Sequence, residues 1–286
     1  MKAEIEVLQP GLFSTIQDSG RFGYLKYGVP MSGPMDSYSF QLANLILNNP
    51  PGSAVMEITQ MGPVLKFLNA GYLVITGANL SPQINKIEIR NAIPYAVGPG
   101  DVLSFGTRKT GCRSYLAMAG GFNTEKVLGS QSWYEDITDF YRLQKGMILE
   151  INESIVKPAG TASIKIDAHY YIDSTIPVFA GPEFNYLTEK QVLEILSRGF
   201  KIDKNNNRMA IQLVEIMPNE IKPIITGPVV AGTVQLTPSG KLIILMRDCQ
   251  TTGGYPRILQ LSESGINRLA QKVQGDLVEF KIQSFP

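Results

Sequence analysis

The segment Met246-Arg247-Asp248-Cys249-Gln250-Thr251-Thr252-Gly253-Gly254-Tyr255-Pro256 is the richest in potential chemistry. An apolar run over residues 242–246 ends there, and polar and glycine residues follow. Asp248, Gln250, Thr251 and Thr252 bring acceptors and donors to a strand end, with Tyr255 just beyond the paired glycines. Gly253-Gly254 lets a ligand or another backbone come near. Polar loops on a rigid scaffold are where binding and catalytic groups concentrate. The competing reading is a long hairpin turn whose Asp and Thr satisfy their own backbone. Cys249 has no His or Lys base close in sequence, which points to an inert thiol.

Two more clusters carry polar chemistry. Gln17, Asp18 and Arg21 fall within five residues at a glycine turn. An arginine fork beside an aspartate can orient a carboxylate or phosphate, or the two can simply tie the turn. Gly28-Val29-Pro30-Met31-Ser32-Gly33-Pro34-Met35-Asp36 then reads as a rigid loop entering a helix. Gly33 permits close backbone approach and positive φ. The helix start offers N–H groups to an anion, unless Asp36 occupies them as N-cap.

Other chemistries are excluded by composition. Neither GxxxxGK[ST] nor GxGxxG occurs, so a nucleotide has to bind without those loops or mainly on a partner. A single histidine, His169, cannot build a two-histidine metal site, and nothing near it supports a catalytic role; a strand or loop position is expected for it. Cys112 and Cys249 form no CxxC pair, so no metal site is expected. Lys+Arg total 26 against 25 Asp+Glu, a net charge of +1 that lacks the basic excess of a nucleic-acid binder. No apolar run approaches the ~18 residues of a membrane span, and the N-terminus lacks a signal-peptide core. The expectation is a cytoplasmic protein that binds neither membrane nor nucleic acid.

These clusters need elements to position them. The 27 glycines and 18 prolines predict many turns and short strands. Strands are expected over residues 4–8, 71–76, 114–118, 164–167, 177–180 and 241–246. A glycine, one residue and then alternation recurs at Gly100, Gly146 and Gly275, where a turn leads into a half-buried strand. The last two are read as closing two β units, with residues 153–160 as the linker. Helices are few. Asp36 or Ser37 caps one to about residue 48, with Tyr38, Leu42, Leu45 and Ile46 on one face. Thr188-Glu189-Lys190-Gln191 is a capping box that opens a second, with Val192, Leu193 and Leu196 inward. Ser264 caps a third over residues 266–273, with Ile266, Leu269, Ala270 and Val273 as its stripe. The chain is therefore expected to be mainly β, without the β-α rhythm of a doubly wound sheet.

Taken together, the segments resemble the KipA family, also called the biotin-dependent carboxyltransferase or allophanate hydrolase subunit 2 family. The resemblance runs through Gln17-Asp18-Ser19-Gly20-Arg21, Ser32-Gly33-Pro34-Met35-Asp36, Glu57, Gly62-Pro63, Thr76-Gly77-Ala78 and Ala119-Gly120-Gly121-Phe122. It continues through Gly129-Ser130, Gly181-Pro182, Arg208-Met209, Gly232-Thr233-Val234-Gln235 and Asp248, and then from Gln250 to Pro256 and at Gly275-Asp276. It implies two tandem cyclophilin-like β-barrel domains, residues 1–155 and 156–286.

The resemblance also implies an activity. The family includes one component of bacterial ATP-dependent 5-oxoprolinase, which works with a KipI-like subunit and with a LamB/YcsF-like subunit to hydrolyse 5-oxo-L-proline to L-glutamate. ATP would be shared with a partner subunit, and the chain would be inactive alone. The alternatives are a biotin-dependent carboxyltransferase component, with no biotin carried on this chain, and a non-catalytic KipI antagonist. Asp248 and Arg208 are the catalytic candidates. Gln17, Asp18, Arg21, Gly33, Asp36, Gln235, Gln250, Thr251, Thr252 and Tyr255 are the substrate- or nucleotide-binding candidates. One departure stands out. The family's Gly-Ser-Arg-Ser-Thr reads Gly129-Ser130-Gln131-Ser132-Trp133 here. An arginine suited to an anionic ligand is thus absent, and Trp133 is expected to block or reshape that spot.

Overall fold

A computed structural model describes residues 3–153 and 169–284. The described chain divides into two compact units. One runs to Arg21 and resumes over Ser32–Tyr171; the other comprises Phe22–Met31 and the residues from Ile172 onward. The expected boundary at 155/156, the linker and the strand at 164–167 fall largely or wholly outside the described residues.

The first unit begins with β1 (Ala3–Gln9), β2 (Phe13–Gln17) and helix α1 (Ser37–Ile46). Next come β3 (Val55–Thr59), β4 (Val64–Phe67), β5 (Gly71–Asn79), β6 (Pro82–Ile84) and β7 (Ile87–Glu88). β8 (Tyr95–Val97), β9 (Val102–Phe105), β10 (Thr110–Met118) and β11 (Ile148–Ile151) complete it. The strands make two sheets, in the orders β11-β1-β4-β9-β6-β7 and β2-β3-β10-β5-β8. Side chains alternate between faces along each strand. Met56, Ile58, Leu73, Ile75, Leu116 and Met118 therefore meet Ile5, Val7, Leu65, Phe67 and Leu103 of the other sheet in one core. The opposite face of the second sheet carries Val55, Val74, Tyr115 and Ala117, and α1 covers it with Phe40, Leu42, Ala43, Ile46 and Leu47. The expected stripe on α1 is corrected: Leu45 is 70% exposed and Tyr38 is 43% exposed. The buried face runs through residues 40, 43 and 47, and Leu45 lies on the far side of the turn.

A one-turn helix α2 (His169–Ile172) follows, so His169 is helical rather than in a strand or loop. The second unit then contains β12 (Thr175–Ala180), α3 (Glu189–Ser197), β13 (Phe200–Asn206), β14 (Ala210–Ile216) and β15 (Gly227–Pro228). It ends with β16 (Thr233–Leu236), β17 (Lys241–Leu245), β18 (Thr252–Gly253), β19 (Arg257–Leu261), α4 (Glu263–Ala270) and β20 (Leu277–Ile282). Seven strands close into a barrel in the order β12-β19-β16-β17-β14-β13-β20, while β15 and β18 pair as a separate ribbon. Alternate residues are fully buried, as with Ile211 and Leu213, Val234 and Leu236, Leu242 and Ile244. The Thr188 capping box forms as its sequence requires. On α3, however, Ile195 is buried and Leu193 is 69% exposed, because residues 192, 195 and 196 share the i, i+3, i+4 face. α4 starts from Ser262 rather than Ser264, and Ile266, Leu269, Ala270 and Val273 are buried as expected. The recurrent glycines all take positive φ, at 91°, 84° and 88° for Gly100, Gly146 and Gly275. Each sits two residues before its strand, the conformation only glycine adopts without strain.

Candidate functional site

Asp18, at the end of β2, is 8% exposed, and its carboxylate is saturated with donors. Oδ1 accepts from Gly20 N at 3.0 Å, Ser130 Oγ at 2.5 Å and Ser132 Oγ at 2.7 Å. Oδ2 accepts from Gln131 N at 2.7 Å. Arg21, fully buried, donates to two carbonyls of the same stretch, Val127 O at 3.0 Å through Nε and Ser132 O at 2.7 Å through Nη2. Gln17 Nε2 donates to Thr15 Oγ1 and to Trp133 O. In the described fold these three candidates are a clamp on residues 127–133. The clamped stretch is the one that departs from the family pattern. Trp133 is 5% exposed and packs in the core beside Phe140, which corrects the expectation that it blocks that spot but not that it reshapes it. Gln131 stays at the surface of a cleft of about 640 Å³ that is also lined by Asn49, Gly120, Lys126, Asn152 and Glu153.

The helix start behaves as a cap. Asp36 accepts from Ser39 N at 3.1 Å and Ser39 Oγ at 2.7 Å, and Tyr170 Oη donates to it at 2.8 Å. A carboxylate already fills the place where an anion would bind, which corrects the anion-site reading. Gly33, at φ 84°, serves chain packing: a Cβ there would lie 3.2 Å from Ser19 O. Below the cap lies a network that sequence reasoning did not find. Glu57 Oε2 accepts from Met35 N and from Tyr115 Oη, each at 2.8 Å, and Tyr115 Oη accepts from Asp36 N at 2.8 Å. Arg113 Nε lies 3.8 Å from Glu57 Oε1 with both side chains buried. Burial, reinforced by the charge of Glu57, pushes the Tyr115 hydroxyl well above its usual range, and burial with Asp36 does the same to Tyr170. Both phenols are therefore neutral donors. The available signal was a glutamate inside an otherwise apolar strand, Val55-Met56-Glu57-Ile58.

In the second unit Arg208 and Asp248 form a bidentate pair, Nε to Oδ2 at 2.6 Å and Nη2 to Oδ1 at 3.0 Å. Asp248 is 5% exposed and Arg208 6%, so Asp248 is not the surface-loop residue that its polar neighbours suggest. Gln250, Thr252 and Tyr255 are exposed and Thr251 is half-buried. Thr251 O accepts from Val229 N at 3.1 Å, tying this loop to the β15 side of the ribbon. Cys249 packs with Val229 and Leu245, and burial pushes its thiol up to about 11, which fits the inert reading. Gln235 is 2% exposed, and its buried Nε2 has no hydrogen-bond partner among the described residues. Gly253 accommodates that amide: a Cβ there would lie 2.4 Å from Gln235 Nε2. Opposite Gln235 across β16 and β19 stands Arg257, bound to Glu183 by Nε at 2.9 Å and Nη2 at 2.7 Å. That side-chain hydrogen bonding holds Glu183 below the usual carboxylate range. Among the described residues no group of three or more His, Cys, Asp or Glu is placed to hold a metal ion. Nor is any helix there long and apolar enough to cross a membrane.

Comparison with known proteins places this geometry. The model of the carboxyltransferase domain, subdomains A and B, matches residues 27–282. The chain belongs to this family. It is 27% identical over 282 residues to a 5-oxoprolinase subunit of Escherichia coli, spanning 96% of this chain and 90% of that one. It is 29% identical over 306 residues to urea amidolyase of Lachancea kluyveri, spanning 96% of this chain but only 17% of that protein. The crystal structure of Kluyveromyces lactis urea amidolyase superposes with a TM-score of 0.89 at 27% identity, over 99% of this chain and 19% of that one. The mainly β architecture with its closed barrel is thus the family's carboxyltransferase fold.

Three outcomes follow from these contacts. Asp18→Ala strands buried donors on Gly20, Ser130, Gln131 and Ser132, and should cost roughly 3 kcal/mol in urea denaturation while speeding amide exchange at residues 130–132. Asp248→Asn leaves the Arg208 charge buried without its counter-ion. It should cost about 3 kcal/mol or more, lowering the melting temperature by roughly 10 °C; an unchanged temperature would return Asp248 to the status of a loop residue. Gln235→Met removes an unsatisfied donor at similar volume, so the melting temperature should hold or rise by a few degrees. A clear fall would reveal a partner for the amide.

Proposed function

We propose that the chain acts as the KipA-type component of an ATP-dependent 5-oxoprolinase, with a KipI-like subunit and with a LamB/YcsF-like subunit, opening 5-oxo-L-proline to L-glutamate. The observation that carries this reading is coverage. Alignment spans 90% of the E. coli 5-oxoprolinase subunit, against 17% of the urea amidolyase. A lactam resists hydrolysis because its nitrogen donates into the carbonyl. Phosphorylating the amide oxygen removes that donation and makes the oxygen a leaving group, which is what ATP supplies when bound. The described residues of this chain do not fit the triphosphate. They offer no glycine-rich phosphate loop, and the start of α1 is filled by Asp36. In this reading ATP binds mainly on the partner side of a site shared between the subunits. What this chain brings is the clamped 127–133 stretch with its cleft and the barrel-borne Arg208–Asp248 pair. Neither supplies a nucleophile by itself, which supports a chain inactive alone.

A second reading is favoured by the family description and by the 29% identity to urea amidolyase. It is carboxyl transfer from carboxybiotin supplied by another module. Reconstitution separates the two. The three purified subunits should release glutamate from 5-oxoproline only when ATP is present, and this chain alone should release none. Turnover by the chain alone would sink the shared-complex reading. Carboxyl transfer from carboxybiotin without glutamate release would replace it with the second. A stable complex with the KipI-like partner that has neither activity would assign a regulatory role.

A further inference from the structure

Part of the lining of the cleft beside the clamp has a hydrogen-bonding sense that the protein fixes. A carboxamide has two N–H donors and one acceptor oxygen. Gln131 is 9% exposed, and its Nε2 donates to Phe122 O and Thr124 O, both at 3.0 Å. Both donors are spent inside the protein, so Oε1 is what the side chain has left. Its backbone cannot swing away, because Gln131 N is bound to Asp18 at 2.7 Å. Asn152 repeats the arrangement, with Nδ2 donating to Gly120 O at 3.2 Å and Gly121 O at 3.4 Å. Asn49, by contrast, is used at both ends. Its Nδ2 donates to Asn44 Oδ1 and Met118 O, and its Oδ1 accepts from Gly120 N.

One cation shares the lining. The antiparallel bridge between Val127 and Ser130 closes a turn that Lys126 and Gln131 flank, and both line the cleft. Lys126 is exposed, and no hydrogen bond or ion pair engages its ammonium among the described residues. Along this side the cleft presents two oriented acceptor oxygens and an ammonium. A ligand with an N–H and a carboxylate on neighbouring atoms matches both sides of the 127–130 turn. At about 640 Å³ the cleft lies within the range of small-molecule sites, roughly 300–1,000 Å³.

We propose that this cleft takes a small cyclic amide that carries a carboxylate. The lactam N–H donates to Gln131 Oε1, and the carboxylate pairs with Lys126. The assignment rests on the 5-oxoprolinase reading and names where its substrate sits. In 5-oxoproline the ring nitrogen and the carboxylate are bonded to one carbon, which suits an acceptor and a cation that flank one short turn. The two acceptor oxygens would also suit the two N–H groups of a cyclic urea, so biotin is the necessary competitor.

Calorimetric titration of the full chain tests this with four probes: 5-oxo-L-proline, 2-pyrrolidinone, N-methyl-5-oxoproline and biotin. 5-Oxoproline should bind, and Lys126→Met should weaken it about tenfold or more, the scale of one charge-assisted hydrogen bond. 2-Pyrrolidinone lacks the carboxylate, so its weaker binding should not change in Lys126→Met. N-methyl-5-oxoproline should fail to bind wild type. Gln131→Met should also weaken 5-oxoproline binding, with its melting temperature measured alongside to show the chain is folded. The assignment is overturned by 5-oxoproline affinity that ignores Lys126, by N-methyl binding equal to the parent, by biotin binding in place of the lactam, or by no binding at millimolar concentration. The reconstituted subunits separate its fate from that of the functional reading. Turnover with a KM unmoved by Lys126→Met removes the cleft and leaves 5-oxoprolinase standing. Lys126-dependent binding without turnover does the reverse.

Discussion

A carboxylate cannot sit inside a protein unless donors replace the water it loses. For Asp18 those donors come from Gly20 and from residues 130, 131 and 132, more than a hundred positions away in sequence. The turn at residues 127–132 is thereby fixed to the end of β2, and Arg21 fixes it a second time through carbonyls. The orientation of Gln131, the separation of Lys126 from it and the wall of the cleft all depend on this one group. The residues nearest the cleft are therefore held by residues that need never touch a ligand.

The second unit solves its polar problem by direct charge pairing. Arg208–Asp248 and Arg257–Glu183 both match a planar guanidinium to a carboxylate through two hydrogen bonds. Such pairs hold geometry well and contribute little net stability against an apolar alternative of the same volume. The Asp18 clamp uses neutral hydroxyls and amides instead. Salt therefore has little purchase on the Asp18 clamp or on Arg208–Asp248, both buried, and more on the part-exposed Arg257–Glu183 pair.

Much of the fold was legible because its signals are local. Thr188 to Gln191 spells a capping box, and the glycines at 100, 146 and 275 announce a left-handed residue before each strand. Legibility failed where a residue's neighbours lie far along the chain. Gln17, Asp18 and Arg21 were recognisable as a unit, but that they grip residues 127–133 could not be read from their spacing. Asp248 looked solvent-facing because its sequence neighbours are polar, while its structural neighbour, Arg208, is 40 residues away. Leu45 and Leu193 were assigned inward because they are apolar, although the helical period turns them out. Trp133 was read by size alone, and the core had room for it.

Each unit encloses one thiol. Cys112 lies in β10 of the first unit at 2% exposure, and Cys249 lies against Val229 and Leu245 of the second at 7%. Burial raises the pKa of both, so neither is a ready nucleophile while its surroundings stay closed. A small alkylating reagent therefore reads the opening of each unit through a different cysteine, and mass spectrometry of the two peptides gives two clocks from one sample. The chain carries its own built-in means of asking whether its halves come apart together or one before the other.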